Sequence, residues 1–576
     1  MIKQIIKNLI QESYKKAAAK NKWLISFIPD VSLEIPKDEQ YGDYSTTLAF
    51  SISKSIKNTP SEIAAILINQ MRKKLPKEII KIELAKNGFI NFFINKESIQ
   101  KELEAIYKQR TKFGLSKIGK NKTIIIDYSS PNIAKPMHIG HLRSTIIGET
   151  LANLYEALGY KVIRWNYLGD WGTQFGKLIA AYKLWGKKNE IEKNPIPALL
   201  KLYIKFHKEM KSNTDLEKLG QEEFKKLEKG DKENRKLWLW FKKESIKDFQ
   251  KIYALLNIKF DLLLGESFFE KDLIPLINLL KKKNLTQKSE GALIIPLEKY
   301  NLPPALIQKS DKASLYFTRD LASLKYRFTK YHPAKILYVV GNEQDVHFKQ
   351  LFTLSKIIFP NEKTELTHIK FGLVLSEEKK KFSTREGEII PLEQVINQTI
   401  EKSLEIIKKK KAQWSLSKQK ELAQVIAIGA LKFNDLKSFR ASDIVFDWKK
   451  MLDFSGDTNV YLQYTYARIN KIITKAKKIG KYDYRLLTNE LEISLIKKIS
   501  EFPETIQISA ERYSPNNLAT YLLSLADLTN KYYETVPVLK EKNKVRQNAQ
   551  LVLLKTITNV LKKGLEILGI QTLKEI

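Results

Sequence analysis

The sequence predicts a protein of mixed α/β and all-α class, in which a doubly wound parallel sheet of the Rossmann-like kind is followed by a helix bundle. A β-branched run (123–130) is followed by a helix that begins near Ile139 and carries an apolar stripe (147–158), and then by a second extended segment (161–170), at the spacing of a βαβ unit. Another buried-strand pattern occurs at 335–341. Beyond about residue 400, strand patterns fade and apolar residues repeat at helical spacing.

The segment before the sheet mixes helix and strand patterns, which predicts a small α+β domain. Residues 1–10 carry apolar side chains at helical spacing, and 79–94 alternate as two strands around a turn at Asn87-Gly88. A polar stretch at 116–122 marks a boundary. We predict three domains and one helical insertion, in chain order: 1–115, 116–400 with the insertion at about 186–262, and 401–576.

The composition excludes several classes of protein. Hydrophobic residues make up 43% of the 576 residues, which excludes wholesale disorder. The absence of cysteine excludes a disulfide scaffold, a thiol nucleophile and a zinc site built from thiolates. No apolar run reaches the roughly 18 residues of a membrane span, and the first residues lack the apolar core of a signal peptide. We therefore expect a cytoplasmic protein with no membrane partner.

The net charge of +36 permits an acidic partner such as nucleic acid but does not identify one. Basic residues are in excess along the whole chain, and short runs such as 408–411 are typical of solvated faces. A lysine-rich background composition explains the same charge.

His138 and His141 stand three residues apart at the start of the predicted helix, after a predicted parallel strand. The carboxyl end of such a strand is where α/β sheets bind ligands, and a helix N-terminus attracts phosphate. Two imidazoles there can stabilise the charge of a polyphosphate, and Gly140 leaves room for a flat base against the backbone. A zinc site is disfavoured because no third ligand is near. Two ordinary surface histidines are the alternative.

The segment SSPNIAKPMHIGHLRSTIIG (129–148), which contains this pair, resembles the HIGH region of class I aminoacyl-tRNA synthetases, and more narrowly that of arginyl-tRNA synthetases. Six further stretches resemble the same family along nearly the whole chain: GDYSTTLAF (42–50), GFINFF (88–93), NYLGDWGTQFG (166–176), SLYFTRDLA (314–322), KFSTREG (381–387) and MLDFSGDTNVYLQYTYARI (451–469).

The resemblance implies an enzyme that ligates L-arginine to tRNA(Arg). The carboxylate of arginine attacks the α-phosphate of ATP, which gives arginyl-adenylate and pyrophosphate. The terminal adenosine 2′-OH of the tRNA then takes the arginyl group. The implied cosubstrate is ATP with Mg²⁺, without protein-bound zinc. The implied partners are tRNA, arginine and ATP, and we expect a monomer. The family also implies an N-terminal domain that binds the tRNA elbow and a C-terminal domain that binds the anticodon.

Two carboxylates, Glu266 and Asp320, predict a cationic substrate because a guanidinium pairs with carboxylates bidentately. A lysine ammonium would suit the same pair, so charge alone leaves arginine and lysine open. The resemblance implies that Tyr316, Glu266 and Asp320 read the arginine side chain. It also implies that Asn132 and Gln344 hold the α-amino end.

The loop KKKFSTREG (379–387) resembles the KMSK loop, which closes over the triphosphate. It departs from the pattern, because Phe382 stands at the methionine position and Thr384 at the second lysine. The resemblance implies that Lys135, three residues ahead of His138, replaces the missing lysine. The set assigned to catalysis and ATP binding is Lys135, His138, Gly140, His141, Lys381, Ser383 and Arg385.

Aromatic residues of the predicted bundle can stack on unpaired bases, although such stripes are more often core. Tyr461 and Tyr464 are the candidates there, and Asn91 is the candidate for the tRNA elbow. A class I enzyme for lysine and a non-catalytic tRNA-binding relative remain the alternatives. The carboxylate pair argues against a glutamate enzyme.

Overall fold

The computed structural model describes residues 2–21, 23, 31–36, 38–309, 316–376, 390–453 and 456–575, the side chains of Glu39 and Tyr316 excepted. In this part of the chain the strands are β1 (Tyr44–Thr46), β2 (Ile79–Leu84), β3 (Ile90–Ile94), β4 (Thr123–Asp127), β5 (Lys161–Asn166), β6 (Leu262–Leu263), β7 (Gln287–Ser289), β8 (Ala292–Ile295), β9 (Ala305–Gln308), β10 (Lys335–Gly341), β11 (Glu365–Phe371), β12 (Val374–Leu375) and β13 (Ile444–Val445).

The helices of the first half are α1 (Ile2–Lys20), α2 (Leu48–Ile56), α3 (Pro60–Met71), α4 (Lys96–Gln109), α5 (Ile139–Ala157), α6 (Thr173–Trp185), α7 (Lys188–Lys193), α8 (Pro195–Glu209), α9 (Asp215–Glu228), α10 (Lys232–Leu255) and α11 (Leu273–Lys282). Those of the second half are α12 (Tyr316–Tyr331), α13 (Asp345–Ile358), α14 (Leu392–Lys410), α15 (Leu416–Leu436), α16 (Trp448–Met451), α17 (Asn459–Lys475), α18 (Glu490–Ser500), α19 (Phe502–Glu511), α20 (Pro515–Thr535) and α21 (Lys544–Ile567).

The predicted parallel sheet is confirmed, with strand order β11-β10-β4-β5-β6 and every pair parallel. Its central strand β4 is β-branched, and Ile124, Ile125 and Ile126 are fully buried, as expected for a strand covered on both faces. The chain runs from β4 outward to β5 and β6, then returns to β10 on the other side of β4. Ligands bind at the carboxyl end of the strands where the order reverses, which here is the gap between β4 and β10.

The chain forms two compact units. One comprises residues 114–467, 504–523 and 562–576 and contains the parallel sheet, with α6–α10 following β5. The other comprises residues 1–113, 468–503 and 524–561 and contains the antiparallel sheet β1-β3-β2. The helix-rich segment predicted after residue 400 is confirmed by α14 to α21.

In the unit that contains the sheet β1-β3-β2, the predicted hairpin is present. β2 and β3 pair antiparallel, and Asn87 and Gly88 both have positive φ in the turn, which Asn and Gly tolerate best. Three of its helices meet at the buried carboxylate of Glu492 on α18, which accepts hydrogen bonds from the Tyr532 hydroxyl on α20 and the Gln550 amide on α21 at 3.1 Å each. Within the described ranges, no helix is both long and apolar enough to cross a membrane.

Candidate active site

Two adjoining cavities open at the carboxyl ends of β4 and β10. The acidic cavity, of about 370 Å³, is lined by Asp127, Ser130, Asn132, Tyr167, Gly169, Glu266, Asp320, Ser323, Arg327, Tyr338, Val340, Gln344, His347 and Phe348. The histidine cavity, of about 550 Å³, includes His138, Gly140, His141, Arg143, Gly341 and Glu343. Ser130, Val340 and Gln344 line both cavities, so ligands in the two would be neighbours.

The histidine pair forms the N-terminus of α5. The His138 ring accepts a hydrogen bond at Nδ1 from the Gly140 backbone N–H (3.1 Å), and the His141 ring accepts one at Nδ1 from the His138 N–H (3.0 Å). This reciprocal arrangement is a capping box built from imidazoles. Each Nδ1 that accepts must be unprotonated, which leaves Nε2–H on each ring as the hydrogen-bond donor.

The electrostatics keep His141 neutral. Burial, and secondarily His138, lower the pKa of His141 to about 3. The two rings lie with their centroids 3.9 Å apart. Near neutral pH, His141 therefore presents a neutral N–H donor rather than an imidazolium, which suits a group that stabilises charge forming on a phosphate.

Glu266 begins the short helical turn after β6. The position of this turn is fixed by hydrogen bonds to the buried carboxylate of Asp170. The carboxylate of Asp170 is fully buried and accepts hydrogen bonds from the Ser267 backbone N–H (2.8 Å) and hydroxyl (2.7 Å). The Lys242 ammonium lies 2.6 Å from the same carboxylate. A Cβ at Gly265 would stand 2.6 Å from Asp170 Oδ1, so this close turn needs glycine.

The ionisation of Glu266 is strongly perturbed. Burial, followed by the nearby carboxylate of Asp320, raises the pKa of Glu266 to about 8, although Arg319 acts in the opposite direction. On the other wall, His347 Nε2 lies 2.7 Å from Asp320 Oδ2. Glu266 and Asp320 thus line one cavity as neighbouring acids, and a cationic ligand would favour the ionised form of both.

Asn132 lies where the loop that follows β4 meets the loop that follows β5. It pairs with Gly169 as a parallel β-bridge, and a Cβ on Gly169 would stand 1.9 Å from the Asn132 Oδ1 atom. The glycine of the NYLGD stretch therefore allows the asparagine amide to lie across the backbone. Gln344 is exposed on the far wall, at the start of α13.

Four of the five residues predicted to bind arginine meet in the acidic cavity: Asn132, Glu266, Asp320 and Gln344. The fifth, Tyr316, begins α12, but its side chain lies outside the described residues. Lys381, Ser383 and Arg385 of the predicted loop also lie outside them.

Lys135 lines neither cavity. Its ammonium lies 4.5 Å from the centroid of the Tyr203 ring on α8, and burial lowers the pKa of Lys135. Its hypothetical role at the triphosphate therefore requires the side chain to leave this contact.

The predicted tRNA contacts lie in different surroundings. Asn91 is 4% exposed, within β3, and lines a cavity of about 740 Å³ in the unit with the antiparallel sheet. Tyr461 and Tyr464 lie on α17, the former half-buried and the latter 38% exposed.

Sequence reasoning missed a buried ion pair in the floor of the acidic cavity. Arg327 Nη2 lies 2.5 Å from Asp127 Oδ2, with both side chains nearly inaccessible. The Arg327 guanidinium also lies 4.3 Å from the centroid of the Trp165 ring. An acid directly after the apolar run of β4 is a signal that could have identified Asp127, whereas no local pattern marks Arg327.

Similarity to known proteins was found along the whole chain. Residues 3–94 match the arginyl tRNA synthetase N terminal domain, 102–448 match "tRNA synthetases class I (R), catalytic domain", and 462–576 match the DALR anticodon binding domain. An arginine–tRNA ligase of Halothermothrix orenii is 42% identical over 546 residues, 94% of each chain, and one of Clostridioides difficile is 40% identical over 540 residues, 93% of this chain and 94% of the relative. The crystal structure of Plasmodium falciparum arginyl-tRNA synthetase superposes with a TM-score of 0.83 at 26% identity, covering 100% of this chain and 99% of that one.

Proposed function

The chain belongs to the arginyl-tRNA synthetases, and from that premise we propose that it ligates L-arginine to tRNA(Arg) through an arginyl-adenylate, with the acidic cavity binding arginine and the histidine cavity binding ATP. The observation that carries this assignment is the shared wall of the two cavities. It would bring the carboxylate of an amino acid bound by Glu266 and Asp320 next to the α-phosphate of ATP. The similarities do not support a lysine enzyme or a non-catalytic relative.

In the first step, an oxygen of the arginine carboxylate attacks the α-phosphorus of ATP and pyrophosphate leaves. His138 and His141 donate hydrogen bonds from Nε2 to the phosphates as their charge redistributes, while Gly140 leaves space for the nucleotide. Lys381, Ser383 and Arg385 bind the triphosphate. Catalysis is then positioning plus electrostatic stabilisation, without a covalent enzyme intermediate.

The metal requirement is assigned to the nucleotide. In the described part of the chain, no group of three or more His, Asp or Glu side chains is arranged to hold a metal ion. Mg²⁺ enters with the phosphates of ATP and neutralises part of their charge.

In the second step, the 2′-OH of the terminal adenosine attacks the carbonyl carbon of the adenylate, and AMP leaves. Residues 1–115 bind the tRNA elbow, with Asn91 as a contact, and 401–576 bind the anticodon stem-loop, with Tyr461 and Tyr464 as contacts. Residues 116–400 carry both chemical steps. The enzyme works as a cytoplasmic monomer.

A charging assay tests this function. Purified protein is incubated with ATP, Mg²⁺, total tRNA and each of the twenty amino acids in turn, and aminoacyl-tRNA is counted. We expect arginine alone to be attached at a rate above background. Attachment of lysine in preference to arginine, or binding of tRNA without ATP–pyrophosphate exchange, would contradict the proposal.

The pKa of Glu266 predicts how arginine binding depends on pH. Without bound arginine, this carboxyl is mainly protonated below about pH 8. A guanidinium binds best to the ionised form, so arginine binding releases a proton. The KM for arginine should therefore fall about tenfold or more between pH 6.5 and 8.5 and level off above the pKa. In Glu266→Gln, which cannot ionise, the KM should be high and nearly independent of pH over this range.

The hypothesis for Lys135 predicts a selective loss. Lys135→Ala should lower the rate of arginyl-adenylate formation by far more than it lowers ATP affinity, because the ammonium acts on charge that develops in the transition state. ATP–pyrophosphate exchange and nucleotide binding measure the two quantities. Lys205→Ala is the matched control, since its ammonium also lies over an aromatic ring of this region, 4.4 Å from the Trp185 centroid, but Lys205 lies outside the 129–148 segment that carries the histidine pair. Equal losses of rate and affinity would refute the hypothesis.

A further inference from the structure

Tyr167 lines the acidic cavity but has no role in the two reaction steps. It follows β5 directly, and its ring is fixed on two sides. The Phe269 ring lies 6.1 Å away between centroids, and the Arg327 guanidinium lies 5.7 Å from the Tyr167 centroid. The ring is thus held in the wall that also carries Glu266 and Asp320.

The hydroxyl of Tyr167 is buried, and it has no hydrogen-bond partner among the described residues. An unsatisfied buried hydroxyl destabilises a protein, so such groups are normally paired. Burial and the two neighbouring carboxylates, Asp320 before Glu266, raise the pKa of Tyr167 well above its usual value, so the group stays a neutral phenol. A polar neighbour for this hydroxyl can therefore come from a ligand of the cavity that Tyr167 lines.

The chemistry of the cavity identifies that neighbour. A guanidinium carries five N–H donors on three coplanar nitrogens, and two carboxylates that bind it bidentately accept at most four of them. A phenol oxygen with free lone pairs is a suitable acceptor for the fifth. The three N–H bonds of a lysine ammonium diverge from one atom, so an ammonium engages acceptors spread around a planar group less completely.

We propose that the Tyr167 hydroxyl accepts a hydrogen bond from the guanidinium of bound arginine and thereby favours arginine over lysine. This inference rests on the proposed function and adds to it a residue that determines specificity. It also gives a hydrogen-bond partner to a hydroxyl that has none among the described residues.

The test is Tyr167→Phe, which removes one oxygen and keeps the ring. The matched control is Tyr326→Phe. The Tyr326 ring packs on the same Phe269 (5.7 Å between centroids), but its hydroxyl is bonded to the Lys330 ammonium at 2.6 Å and lies outside the cavity. The assays are arginine-dependent ATP–pyrophosphate exchange with tRNA present, inhibition of that exchange by lysine, and thermal unfolding of the ligand-free protein.

In Tyr167→Phe we expect the KM for arginine to rise about tenfold or more, as for loss of a hydrogen bond to a charged group. The inhibition constant of lysine should stay within about twofold of wild type, and the unfolding temperature should be unchanged or higher because an unsatisfied hydroxyl is gone. Tyr326→Phe should keep the wild-type KM.

Three results for Tyr167→Phe would overturn the inference: an unchanged KM for arginine, an equal loss of affinity for lysine, or a lower unfolding temperature or failure to fold. If wild-type protein fails to activate arginine, the proposed function itself is wrong.

Discussion

Replacing Asp320 with asparagine is expected to lower kcat/KM for arginine by about a thousandfold, the largest effect on amino-acid recognition that we predict. The substitution keeps the size of the side chain but removes a charge that faces the cavity. Loss of one partner from a buried, hydrogen-bonded charge pair typically costs about 2–5 kcal/mol. Affinity for ATP should be nearly unchanged, because Asp320 lines the acidic cavity but not the histidine cavity.

Asp345→Asn is the matched control for this variant. Asp345 lies on the same sheet edge, with its carboxylate 2.5 Å from the Lys370 ammonium and 3.0 Å from that of Lys349, but it lines neither cavity. Its removal should leave the KM for arginine within about twofold of wild type, as for an exposed ion pair. Steady-state exchange at varied arginine and at varied ATP separates the two effects. A loss in Asp320→Asn that falls on ATP rather than on arginine would contradict the assignment of the acidic cavity.

The sheet was predictable because its strands carry their signal locally. A parallel strand buried on both faces reads as a continuous apolar run, and so 335–341 coincides with the bounds of β10. The start of α5 at Ile139 was also predictable, because a proline-containing loop after the β4 run leads into a helical pattern there. Asn132, Glu266, Asp320 and Gln344 meet because each follows or adjoins the carboxyl end of a strand or the start of a helix beside one edge of the sheet.

The side chains that the sequence did not identify are those fixed by distant partners. Asp127 and Arg327 are 200 residues apart in the chain, and no local periodicity connects them. The orientation of Lys135 is another case, because its contact is Tyr203 on α8, which the chain reaches only after β5. Motifs identify which residues approach the ligand, whereas the packing that holds them emerges only when the chain is folded.

Arg143 is the clearest example of such a long-range partner, and its removal is the second large effect that we predict. It lies on the first turns of α5, five residues after His138, and its side chain is 1% exposed. Its guanidinium pairs bidentately with Asp435 on α15 at 2.9 and 3.2 Å. The same group donates to the carbonyl oxygens of three loop residues around β12 and β13, at distances of 3.0–3.3 Å: Leu373, Arg440 and Ser442.

Arg143→Met should lower the free energy of unfolding by about 3–5 kcal/mol, because it leaves the Asp435 carboxylate buried without its partner. Protein that remains folded should also show a raised KM for ATP, since Arg143 lines the histidine cavity and ties α5 to the carbonyl oxygen of Leu373, which directly precedes β12. Chemical denaturation and exchange at varied ATP measure the two effects. Arg143→Lys keeps the charge but not the planar fork, so it should fall between wild type and Arg143→Met on both measurements.

A double-mutant cycle separates the ion pair from simple loss of packing. Asp435→Leu should be destabilising alone, because the guanidinium then loses its countercharge. Combined with Arg143→Met it should add little further loss, since replacing both members of a buried pair by apolar groups is often close to neutral. Stability should recover more than ATP affinity in the double variant, because the three carbonyl contacts of Arg143 are still missing. Strict additivity of the two single losses would show that Arg143 and Asp435 act independently and would contradict the coupling proposed for α5 and α15.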